Sequence, residues 1–168
     1  STSKEHWDRG VSEETSIDSF FQALSAFRPH RVLLEALEGG HTYSLLQLLS
    51  DIPSSIALTQ AHSLWHAMQR IEMFCLQEFK NSSLLPIRSQ ISTTFQLAIL
   101  CHNSPDGQKM VVNVAEILPL TKDGQYQFLT IFEQNFPFSS ENNKQVELSC
   151  LPTGNIPSFL NDLTFWKG

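Results

Sequence analysis

The stretch RPHRVLLEALEGG, Arg28 to Gly40, constrains this chain more than any other. Val32 to Leu37 is a short apolar run that ends among acids and then in Gly39-Gly40. Such a run reads as a strand buried on both faces, as in a parallel sheet. Ligands of open α/β sheets bind outside the carboxyl ends of the strands. Glu35, Glu38 and the two glycines therefore stand where chemistry would be.

Composition narrows the class. The chain has 168 residues, enough for one domain, 1–168, with a real core; residues 1–14 are polar and expected to be loose. Hydrophobic residues make up 41% and charged residues 17%, which argues for a folded chain. The net charge is −6 and no basic tract appears, so no nucleic-acid partner is expected. No apolar run is long enough to span a membrane. No signal peptide is read at the start, and STSKEHWDRG reads either as the middle of something longer or as an artificial end. Cys75, Cys101 and Cys150 have no Cys-x-x-Cys spacing, which fits reduced thiols and a cytoplasmic location.

In chain order, Ser16 is expected to cap a helix over Ile17–Phe27, which Arg28-Pro29 ends. The acidic strand follows, then a helix from His41-Thr42 to Leu49. Ile56–Ala61 reads as a second buried strand, Ser63–Phe79 as a long helix and Leu85–Thr93 as another. The pattern then changes. Phe95–Cys101, Met110–Leu118 and Gln125–Glu133 read as strands of an antiparallel meander, separated by turns at Ser104–Gly107 and Lys122–Gly124. Val146–Leu151 adds a strand and Ser158–Leu163 a short helix. The fold class is α/β: parallel strands with helices, then a β meander.

Five segments, in order, resemble the type II/IV secretion ATPases, the RecA-like motors of type IV secretion and tight-adherence pili. Arg28, Pro29, Arg31 and the apolar run are similar to the family's acidic (Walker B) strand. Ala67, Arg70, Ile71 and Glu72 match its Ala, Arg, Leu-or-Ile, Glu helix. Arg88 and Gln90 fit the next helix. Pro105–Ile117, with Glu116-Ile117, is similar to its Asp-Gly hairpin. Leu151–Leu163 resembles the closing Thr-Gly-x-x-Pro-x-Phe segment of the tight-adherence branch. The resemblance implies the C-terminal half of a RecA-like domain.

The chemistry of that family needs groups this sequence lacks. A phosphate cradle, G-x-x-x-x-G-K-[ST], is absent, and Gly39-Gly40 has no following Lys-Ser or Lys-Thr. Ala36 stands where the family has its catalytic glutamate. Glu35 lies one residue early, so strand alternation turns it the other way; Glu38 replaces an arginine. Gln60 replaces the family's histidine and cannot titrate near neutral pH. Glu35, Ala36, Glu38 and Gln60 are thus degenerate positions, and no cofactor or metal is expected. His62 and His66 share a helix face but lack a third ligand. Phe132, Phe136, Phe138, Phe159, Phe165 and Trp166 are candidates for an interaction patch; the plainer reading is that they close the core.

The expected function is a non-hydrolytic, ATPase-like subunit of a bacterial secretion or pilus machine. It would bind machinery proteins, an active ATPase or like subunits, and be peripheral at the inner membrane through them. Arg28, Arg31, Arg70 and Arg88 are candidate subunit-interface residues, since arginine suits interface ion pairs and completes neighbouring sites in ring ATPases. The alternatives are the C-terminal part of an active hexameric ATPase whose phosphate loop lies outside this chain, and an interaction module unrelated to secretion.

Overall fold

The computed structural model describes residues 13–27, 29–52, 54–78, 83–103, 107–134 and 150–160. Helix α1 (Glu13–Phe27) leads to strand β1 (Val32–Leu34), helix α2 (Thr42–Ser50) and strand β2 (Ser55–Ala57). Helices α3 (Leu64–Glu78) and α4 (Leu84–Thr94) follow. Strands β3 (Leu97–Asn103), β4 (Lys109–Leu118), β5 (Gln127–Gln134) and β6 (Cys150–Pro152) complete the order. The fold is mixed α/β: β1 and β2 form a parallel pair, and β3-β4-β5-β6 form an antiparallel sheet.

Helix α1 starts earlier than Ser16, so that residue lies inside the helix and not at its cap. Glu13 and Glu14, in the stretch expected to be loose, fall in the first turn of the helix. Residues 1–12 lie outside the described residues.

The parallel pair has Val32 opposite Ser55, Leu33 opposite Ile56 and Leu34 opposite Ala57. Bonds from Leu58 N to Leu34 O (3.0 Å) and from Leu37 N to Leu58 O (2.7 Å) carry the pairing past the strands. The expectation of burial on both faces is corrected here. Leu34 is buried, but Leu33 is 66% exposed and Ile56 63% exposed. Successive side chains alternate faces. The Leu34 face meets the core; no described element covers the Leu33–Ile56 face. The second strand is also shorter than Ile56–Ala61.

One core joins both sheets. Leu34 of β1 and Leu37 just beyond it, Leu45, Leu46 and Leu49 of α2, Met68, Ile71 and Cys75 of α3, and Ile87 and Ile91 of α4 meet Ile117 and Tyr126 of the meander. Helix α3 buries Met68, Ile71, Glu72 and Cys75, the i, i+3, i+4, i+7 stripe of an amphipathic helix. Its start is capped by Ser63, whose Oγ accepts the His66 backbone N–H at 3.1 Å. Helix α4 holds Pro86 in its first turn, where no donor is needed.

The meander is bent at two register shifts, at Leu100/Cys101 in β3 and at Val114/Ala115 in β4. Gly124 turns the chain into β5 at φ +71°, a left-handed conformation that glycine adopts without a Cβ penalty. On β4, Ala115, Glu116 and Ile117 are all buried, against simple alternation. The cause is the segment after β6, which lies over Glu116: the Ser158 backbone N–H donates to its carboxylate at 2.8 Å, and the Ser158 hydroxyl donates as well. Thr153 and Asn155 tie the same segment to the carbonyls of Thr130 and Ile131 in β5. Of the short helix expected over Ser158–Leu163, residues 158–160 form one 3₁₀ turn, and 161–163 lie outside the described residues. Of the expected strand Val146–Leu151, residues 146–149 lie outside the described residues.

Candidate functional site

The carboxyl ends of β1 and β2 define the site that the sequence singles out. Gly39, at φ +92°, reverses the chain after Glu38. The buried Thr42 hydroxyl holds that turn by donating to Gly39 O at 2.8 Å. Glu35, Ala36, Glu38 and Gln60 are all exposed. The carboxylate of Glu38 is paired with Arg70 at 3.0 Å, and the Arg70 guanidinium lies 5.4 Å above the Phe74 ring. Arg70 and Glu38 are 28% and 36% exposed, so solvent screens the pair. Glu38→Gln is expected to shift stability by about 0.2–1 kcal/mol and Glu35→Gln by no more than about 0.5 kcal/mol in urea melts.

Helix α2 opens directly after the glycines, and a helix N-terminus attracts anions. Two of its first-turn donors are already engaged. Glu78, at the end of α3, accepts the backbone N–H of Tyr43 at 2.9 Å and of Ser44 at 3.2 Å, and also the Ser44 hydroxyl. The anion on this helix is thus a side chain of the fold itself. Sequence reasoning missed Glu78. It lies 34 residues from Ser44, and no local spacing announces the contact.

His62 and His66 stack with ring centroids 3.9 Å apart, and His66 Nδ1 accepts the His62 backbone N–H at 3.4 Å. Burial, followed by the positive charges of His62 and Arg70, holds the His66 pKa below the ordinary histidine value. Among the described residues, no group of three or more His, Cys, Asp and Glu side chains could hold a metal ion. Burial pushes the Cys75 thiol up to about 12, helped by Glu78 and Glu72, so it stays protonated and unreactive at neutral pH.

Two of the four candidate interface arginines have internal partners. Arg70 serves Glu38. Arg88 donates from Nε to Glu72 at 2.8 Å and from Nη1 to Gly124 O at 3.1 Å, and its guanidinium lies 5.8 Å from the Tyr126 ring centre. Arg31 is exposed, and Arg28 lies outside the described residues. Of the six aromatic patch candidates, Phe132 is exposed and Phe159 half-buried; Phe136, Phe138, Phe165 and Trp166 lie outside the described residues.

Sequence reasoning also missed a groove of about 230 Å³ between the two sheets. Its walls include Ala57, Leu58 and Thr59 on one side and Leu97 to Cys101 on the other, with Met68 and Ile71 of α3 among its other lining residues. No protein-family pattern matches the chain, and no curated protein matches it at a significant level. No helix among the described residues is long and apolar enough to cross a membrane.

Proposed function

We propose that this chain is a non-hydrolytic, ATPase-like subunit of a bacterial secretion or pilus assembly machine, built on the C-terminal half of a RecA-like fold. It acts by binding machinery proteins, on the cytoplasmic side of the membrane that carries the machine. The element order supports the reading: a parallel pair whose first strand ends in acids and glycines, a helix between them, then an antiparallel meander closed by the Thr153–Phe159 segment.

The observation that carries the non-hydrolytic part is the engagement of α2. A nucleotide site needs unspent backbone donors and an acid aimed at a metal–water system. Here Glu78 takes the Tyr43 and Ser44 amides, and Glu38 is drawn to Arg70. Ala36 brings no carboxylate to the position where the family has one. An anionic phosphate at α2 would meet the Glu78 carboxylate, and like charges at that range repel.

Titration calorimetry with magnesium and ATP, together with a phosphate-release assay, tests this. No saturable heat and no release are expected. Saturable binding overturns the reading, and so does hydrolysis restored by Ala36→Glu alone, which favours the catalytic alternative.

A further inference from the structure

We infer that the outer face of the β1–β2 pair docks on the same face of a second copy of this chain, about a two-fold axis through Leu33 and Ile56. The inference rests on the protein-binding reading and names a like subunit as the partner.

Leu33 and Ile56 stand directly opposite each other in the parallel pair. Successive side chains of a strand alternate faces. The outer row therefore reads Arg31, Leu33, Glu35 along β1 and Ser54, Ile56, Leu58 along β2, and all six residues are exposed. The residues between them, Val32, Leu34, Ser55 and Ala57, are buried or half-buried. Backbone bonds from Val32 N to Ser54 O (3.1 Å) and from Leu58 N to Leu34 O (3.0 Å) hold the two rows side by side at both ends. The face has an apolar centre, with Leu33, Ile56 and Leu58 at 66%, 63% and 50% exposure. A cation closes one end of its β1 row and an anion the other.

That order is self-complementary. In a two-fold contact of a surface with itself, whatever residue i meets also meets i in return. An axis running across the strands through Leu33 and Ile56 lays β1 antiparallel on β1 of the second copy. It sets Leu33 on Leu33, Ile56 on Ile56, Leu58 on Ser54 and, twice over, Arg31 on Glu35. Packed sheets lie about 10 Å apart, a gap that a facing arginine and glutamate span. Neither Arg31 nor Glu35 takes part in an ion pair among the described residues, so both are available to a partner. Stacking with the strands parallel puts like charges at the same end and forms neither pair. A stable interface engages about 20–30 residues a side. This face offers far fewer, so the dimer is weak and forms as concentration rises.

Sedimentation equilibrium of the 168-residue chain is expected to show monomer passing to dimer between about 10 µM and about 1 mM. Arg31→Glu and Glu35→Arg each set like charges together at both pairs, and each is expected to weaken association about tenfold or more. An equimolar mixture of the two variants is expected to associate at least as tightly as the native chain, because every charge then meets its opposite. Combining both changes in one chain is expected to recover the native dimer. Leu33→Lys is expected to leave a monomer, with little change in the thermal melt of the dilute protein, since the position is exposed. The inference is overturned if the native chain stays monomeric across the range, if neither charge variant weakens association, if their mixture associates no better than either alone, or if Leu33→Lys leaves the dimer intact. A monomer throughout beside silent ATP calorimetry removes the dimer and leaves the non-hydrolytic reading standing. Saturable ATP binding beside a dimer that answers to the charge swap does the reverse.

Discussion

Truncating Leu37 or Leu34 to alanine is expected to destabilise the domain by about 2–5 kcal/mol, while Leu33→Ala changes stability by no more than about 0.5 kcal/mol. Three leucines within five residues thus differ severalfold in cost. Leu37 is 1% exposed and Leu34 9%, both in the shared core, whereas Leu33 stands two-thirds in solvent. The loss combines transfer of the removed carbons with the cavity left between β1, α2 and α3. Measured against a typical total of about 5–15 kcal/mol, either core truncation takes a large share of the stability. Urea melts with unchanged slope would show it as a lower midpoint. A Leu33→Ala cost equal to that of Leu37→Ala would mean that the outer face of the β1–β2 pair is covered.

The second large effect lies at the buried ion pair. Arg88→Ala is expected to cost about 3–5 kcal/mol, because it leaves the Glu72 carboxylate buried without its partner. Glu72 is 8% exposed at its side chain and Arg88 22%. Glu72→Ala should cost less, since the guanidinium it leaves behind reaches solvent and keeps Gly124 O and the Tyr126 face. Replacing both, as Glu72→Leu with Arg88→Met, should recover most of the loss, as apolar substitutes for buried pairs often do. Melts of Arg88→Ala, Glu72→Ala and the matched double alanine variant form a double-mutant cycle. Additive losses would show that the two side chains are not coupled.

Much of the architecture was legible because it rests on local patterns. The α3 stripe, Pro86 at the start of α4 and the Asp123-Gly124 turn all sit where 3.6-residue spacing and turn chemistry place them. The acidic strand was legible in position but not in burial. The run Val32–Leu34 is apolar on both sides, and periodicity alone does not say that one face goes uncovered. Helix α1 was read short because a serine cap signal outweighed the acids that begin the first turn. At the site, the replacements at Ala36 and Gln60 were visible residue by residue. The ties that engage the neighbouring groups, Glu78 to α2 and Glu38 to Arg70, were not, because they are long-range contacts between exposed-looking residues. Glu72 had a signal that could have been used: it is a carboxylate inside the apolar stripe Met68, Ile71, Cys75, and a charge there calls for a buried cation.

Amide hydrogen exchange across Glu35–Ser44, with and without magnesium and ATP, tests the central claim most directly. That segment holds the acidic strand end, both glycines and the amides engaged by Glu78. The account predicts identical exchange in the two conditions, with Tyr43 and Ser44 protected in both. Nucleotide-dependent protection at Gly39–Ser44 would contradict it and show that the end of β1 still holds phosphate.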